Sequence, residues 1–81
     1  MAQHEVISPL PGVFYRRSSP EAPPYKQEGD RVKSGDVIGL VEVMKQFTEI
    51  QADADGTVLR FLVENEAPVE PGEPLLLIET A

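Results

Sequence analysis

The chain has 81 residues, with 14 acidic and 7 basic side chains, one histidine and no cysteine, for a net charge of −7. A chain this short buries only about 60% of its unfolded surface, so it makes one small domain, residues 1–81, with little material for both a core and a deep substrate pocket. Without cysteine there is no disulfide, zinc ribbon or thiol nucleophile; His4 alone, near an end expected to fray, builds no catalytic triad or multi-histidine metal site; and the acidic balance argues against nucleic acid. What remains is a group presented to other enzymes, or a docking surface.

Eight prolines and six glycines cut the chain into short pieces. In chain order, Gly12–Arg16, Val37–Val41, Thr57–Val63 and Leu75–Ile78 are rich in β-branched, aromatic or aliphatic residues. Short strands with turn signals at close spacing predict a small all-β sandwich or barrel. Val58, Phe61 and Val63 do not alternate cleanly with Arg60 and Glu64, which predicts a bulge or a strand buried on both faces. One segment fits another period. Val43, Met44, Phe47 and Ile50 fall at helical spacing among good helix formers, so residues 42–51 read alone make a short amphipathic helix. The longest strictly apolar run, Leu75–Ile78, is far short of the roughly 20 residues that span a bilayer, so no membrane segment is expected. The start lacks a basic flank followed by an apolar stretch, so no signal peptide is read and the cytoplasm is the expected location.

An internal repeat decides between helix and strand. Glu28–Glu42 lies over Asn65–Glu79 at an offset of 37 residues, placing Val32 on Val69, Gly35 on Gly72 and Leu40 on Leu77. Pro11–Arg16 lies over Asp55–Arg60 at an offset of 44. Two β halves of this kind predict two interlocking sheets related by a pseudo-twofold axis, neither half burying its apolar face alone. The offsets differ by seven residues, which must lie between Arg16 and Glu28. Ser18–Pro24, with three prolines, is the candidate insertion: too stiff for a helix interior or a central strand, it forms a semi-rigid protrusion or a tolerated surface loop.

The repeat also locates Lys45. With Val37–Val43 ending the first half and Phe47–Ala52 opening the second, Met44-Lys45-Gln46 is a tight hairpin connection, with the chain ends at the equivalent place of the other half. No glycine or asparagine supplies positive φ there, so the turn serves something other than easy turning. Gly35 and Gly72 supply backbone freedom to their turns, and Gly56 is read the same way. Asp53 and Asp55 look like a carboxylate pair but flank Gly56 as turn residues. Glu64, Glu66, Glu70 and Glu73 form a solvated acidic edge that can steer the chain toward a basic partner.

Val41-Glu42-Val43-Met44-Lys45-Gln46-Phe47 resembles the attachment segment of the biotinyl domains, whose usual form is Glu-Ala-Met-Lys-Met. The likeness runs from Ile7 to Glu79, through Ser8–Arg16, Gly29–Asp36 and Ile50–Val58. The insertion at 18–24 is similar to the thumb of the biotin carboxyl carrier branch, found in acetyl-CoA carboxylase, within the wider biotinyl–lipoyl family. The resemblance implies a flattened barrel-sandwich of two four-stranded antiparallel sheets with pseudo-twofold symmetry. It implies biotin amide-linked to Lys45 by a biotin protein ligase, and a carboxylate shuttled from a biotin carboxylase to a carboxyltransferase acting on an acyl-CoA, acetyl-CoA in fatty acid biosynthesis. The chain itself would be a non-catalytic carrier, monomeric as an isolated domain. Met44 either shapes what the ligase recognises or is partly buried in the core. Gln46 departs from the family's second methionine. Glu42 is either read by the ligase or a solvated strand end. The thumb departs from the family too, with Arg17-Ser18 where Thr-Pro is usual, so a thumb contact to biotin falls to Arg17, Ser18 or the backbone. Two rival readings share the fold: a lipoyl carrier, which commonly lacks the thumb, and an unmodified docking domain in which Lys45 is an ordinary turn lysine.

Overall fold

Eight strands and no helix make up the fold in a computed structural model, which describes residues 2–80. They are β1 (Ala2–Ile7), β2 (Gly12–Tyr15), β3 (Arg31–Val32), β4 (Val37–Val43), β5 (Gln46–Gln51), β6 (Gly56–Phe61), β7 (Ala67–Val69) and β8 (Pro74–Thr80). The strands form two four-stranded antiparallel sheets, β1-β8-β6-β3 and β5-β4-β2-β7. Each half of the chain gives two strands to each sheet.

The repeat is visible strand by strand. A shift of 44 carries β1 onto β5 and β2 onto β6, and a shift of 37 carries β3 onto β7 and β4 onto β8. The same operation turns one sheet order into the other. The core is built in equivalent pairs: Val6 with Ile50, Phe14 with Val58, Val32 with Val69, Ile38 with Leu75 and Val41 with Ile78, all buried. Where one partner grows, its neighbour shrinks. A Cβ on Gly39 would strike the Phe14 ring, whereas the equivalent positions hold Leu76 and the smaller Val58. Conserving volume in this way keeps both halves close-packed.

The glycines separate into two kinds. Gly35 and Gly72 have φ of 98° and 84° in tight turns where a Cβ would meet nothing. Each turn is closed by the N–H of the next residue, Asp36 to the Lys33 carbonyl and Glu73 to the Glu70 carbonyl. In each, that same acid accepts the N–H at the start of the turn. Gly56 corrects its turn reading. It opens β6, and a Cβ there would run into the Glu79 carbonyl, as one on the equivalent Gly12 would run into that of Glu42. Both are glycine because two backbones approach closely, not because a turn needs freedom.

The helical reading of 42–51 gives way to a β4–β5 hairpin. Met44 and Phe47, which carried the helical spacing, are exposed, so they mark no buried face. The expected irregularity in β6 is a bulge: its pairing with β8 skips one residue between Val58 and Arg60. The N-terminal segment does not fray as expected. It forms edge strand β1, and His4 pairs with Ile78 and reaches Asp53 at 2.6 Å. Asp55 accepts the Ser34 N–H.

Candidate attachment site

The hairpin between β4 and β5 closes with Val43 opposite Gln46, leaving only Met44 and Lys45 in the loop. Gln46 is therefore the first residue of β5 rather than part of the turn. Met44 and Lys45 have φ of 51° and 68°. Positive φ at both central residues is the turn that best matches strand twist, normally supplied by Asn-Gly. Here two side chains occupy left-handed backbone, at about 1–2 kcal/mol each. Met44 is 91% exposed, which removes the reading that buries it in the core. Lys45 is exposed, and among the described residues nothing pairs with its amine. A primary amine on a four-carbon stem at the tip of a stiff turn is suited to acylation.

Below the turn, three strands are laced together on the outer face. Glu42 stands opposite Phe47 on β5 and Val13 on β2. Tyr15 donates its hydroxyl to Glu42 Oε1 at 2.8 Å, and its ring centroid lies 5.9 Å from that of Phe47. Glu42 is thus half-buried and bonded rather than a solvated strand end. Its acceptor oxygen holds the Tyr15 phenol above its ordinary value, with desolvation and the charges of Glu42 and Glu66 acting the same way.

The insertion folds back on its own base. Arg17 bridges to Pro24, the Tyr25 N–H donates to the Arg16 carbonyl at 2.9 Å, and the Ala22 N–H closes a turn onto Ser19. Pro20 sits second in that turn, where its fixed φ is favoured. Between thumb and sheet lies a groove of about 340 Å³. Arg17, Ser18, Ser19 and Pro20 form its thumb side, with Tyr15 and Phe47 on the sheet. Asn65 and Glu66 complete the lining.

The five residues singled out from sequence therefore fall in two places. Met44, Lys45 and Gln46 are at the hairpin, and Arg17 and Ser18 line the groove, which none of the first three touches. Phe47, two residues after Lys45, connects the places. Tyr15, Phe47, Asn65 and Glu66 were missed. For Glu66 a signal existed: the repeat sets it over Gly29, whose φ is 92°, and Glu66 keeps that left-handed backbone at 69°. Met44, Lys45 and Glu66 are the non-glycine residues of positive φ among the described residues, and all three lie at the hairpin or the groove. Strain of this kind persists where surrounding structure enforces it, and it gathers at functional sites.

A family described as biotin-requiring enzyme matches residues 4–78. The chain belongs to this family. It is 44% identical over 73 residues to the biotin carboxyl carrier protein of acetyl-CoA carboxylase of Pseudomonas aeruginosa, covering 90% of this chain and 47% of the relative. The protein of the same name from Haemophilus influenzae is 43% identical over 79 residues, covering 98% of this chain and 51% of the relative. The chain thus spans about half the length of these curated relatives. Among solved structures, urea carboxylase of Kluyveromyces lactis matches with a TM-score of 0.78 at 25% identity, over 98% of this chain and 6% of that one. A single-chain long-chain acyl-CoA carboxylase matches with a TM-score of 0.80 at 22% identity, over 98% of this chain and 7% of that one, a likeness of fold. No helix among the described residues is long and apolar enough to cross a membrane.

Proposed function

We propose that the chain is a biotin carboxyl carrier domain, residues 1–81, with biotin amide-linked to Nζ of Lys45. Biotin so held carries a carboxyl group from a biotin carboxylase to a carboxyltransferase of an acyl-CoA carboxylase, acetyl-CoA carboxylase in fatty acid synthesis. The domain is a non-catalytic, cytoplasmic carrier, loaded by a biotin protein ligase. The observation that carries this reading is the exposed Lys45, unpaired among the described residues, at a two-residue turn that holds strain no plain connection requires. In the loading step the Lys45 amine, once deprotonated, attacks the activated biotin carboxyl; the amide C–N bond forms and the activating group leaves with the electron pair. Met44 and Gln46 flank the amine as the surface the ligase meets. The thumb's Arg17 and Ser18, with Tyr15 and Phe47, offer a partly apolar groove where the attached ring can rest between visits to the two partner sites.

The test is expression with biotin and a biotin protein ligase, read by intact mass and streptavidin capture. Capture is expected for the chain and none for Lys45→Arg. Absence of capture, or capture that survives Lys45→Arg, would sink the reading; a lipoyl adduct at Lys45 would replace it with the lipoyl carrier.

A further inference from the structure

Most of the fold's cations are spent or solvated. Lys26 has Asp36 at 3.5 Å, and the Arg16 guanidinium lies 3.9 Å over the Phe61 ring. Arg17 is different. It is half-buried, and among the described residues no carboxylate lies within 4.0 Å of its guanidinium. Its Nε is buried with no acceptor among the described residues; the Arg16 Nε shares that state, but its guanidinium is covered by the Phe61 ring and does not line the thumb groove. Its one hydrogen bond, from Nη1 to the Ala22 carbonyl, is long at 3.3 Å. A guanidinium has five N–H donors in a fixed fork, so most of Arg17's donors have no acceptor among the described residues. Keeping a buried donor without a partner costs free energy that an acceptor reaching it would recover. Arg17 lines the thumb groove beside the Tyr15 and Phe47 rings. Its fork matches a carboxylate in two parallel hydrogen bonds.

We propose that Arg17 makes this groove selective for carboxylate, so that the group on Lys45 rests there more tightly in its anionic, carboxyl-bearing form than in its neutral form. The inference rests on the reading of Lys45 as the attachment point, and it adds a specificity-determining role for one side chain. Glu66, the acid among the lining residues, opposes an anion and limits the affinity. A modest affinity suits a group that must leave again for a partner enzyme.

The experiment uses the unloaded chain and two soluble probes: imidazolidinone, a neutral cyclic urea, and its N-carboxymethyl derivative, which adds a stable carboxylate. Chemical shifts of the Arg17 Nε–H and of the Ser18 and Ser19 amides are followed through each titration. The carboxylate probe is expected to bind with a Kd of roughly 1–10 mM, and the neutral probe about tenfold more weakly or worse. Arg17→Gln should bring the carboxylate probe down to the level of the neutral one. Arg17→Lys, which keeps charge without the fork, should retain part of the difference. Glu66→Gln should tighten the carboxylate probe about two- to threefold. Equal affinity for the two probes would overturn the proposal. So would unchanged binding in Arg17→Gln with sheet amide shifts intact, or no shift with either probe at about tens of millimolar. Biotin capture at Lys45 is read separately by mass, so failure of either reading shows by itself.

Discussion

The outer faces of the two sheets share one strand plan and carry different chemistry. On one, Tyr15, Glu42 and Phe47 interlock beneath the Lys45 turn. On the other the equivalent residues are Leu59, Glu79 and Gln3; Leu59 is the residue skipped by the β6 bulge. The thumb stands over the first face and has no counterpart on the second. Residues pointing inward repeat because packing constrains both halves alike. Residues pointing outward are free to diverge, and their divergence is concentrated on one face. Symmetry therefore serves as an internal control: what both halves keep is structural, and what one half alone has is a candidate for function.

This contrast can be broken at several points. The largest effect should come from what the halves share. Gly12→Ala and Gly56→Ala each push a methyl into a partner carbonyl, so both should destabilise by about 1–3 kcal/mol or more, by similar amounts, in urea denaturation. A large loss at only one position would mean that the halves do not pack equivalently. Next come the strained positions. Glu66→Gly relieves about 1–2 kcal/mol of left-handed strain and adds about 0.5–1 kcal/mol of unfolded-state entropy, for a net gain of about 0.5–1 kcal/mol. Gly29→Ala at the equivalent position should lose about the same. Met44→Gly should stabilise like Glu66→Gly while weakening ligase loading of Lys45. No gain from either would place the strain elsewhere.

The smallest effects are electrostatic and appear at the pH extremes. The Tyr15 phenol is raised in the fold, so its contribution is present below pH 10.0 and fades as pH rises through the raised value. Tyr15→Phe should flatten the alkaline fall in thermal stability, and Glu42→Gln should do so in part. Asp36 runs the other way. Its carboxyl is lowered mainly by the Lys33 N–H it accepts, with Lys26 adding attraction. Its contribution is present above 3.8 and fades as pH falls through the lowered value, so Asp36→Asn should flatten the acid limb. Neither Tyr15→Phe nor Asp36→Asn should disturb the opposite limb.

How much of this could be read from residues follows the same division. The repeat predicted two sheets related by a pseudo-twofold axis, the insertion and a tight hairpin at Met44-Lys45-Gln46, one residue longer than the turn observed, because turn glycines and core aliphatics recur at fixed offsets. Edge strand β1 was not legible: Gln3, His4 and Glu5 look like a tail until β8 pairs with them. The helical spacing at 42–51 misled because Met44 and Phe47 are apolar residues held outside. Apolar periodicity reports burial, and these two break that link. The groove was half legible. Its thumb side was read from prolines, but Tyr15 and Phe47 meet only through strand register across β2, β4 and β5.

Ala2 stands opposite Thr80, in the position that Gln46 and Val43 hold across the Lys45 turn. The β1–β8 pair is thus a hairpin with its loop cut. Tension applied between the two ends would peel it open one residue pair at a time, loading few hydrogen bonds at once. The β4–β5 pair, sealed by Met44 and Lys45, cannot be peeled from its tip. Under mechanical load the domain has one zipper and one rivet, and the lysine sits on the rivet.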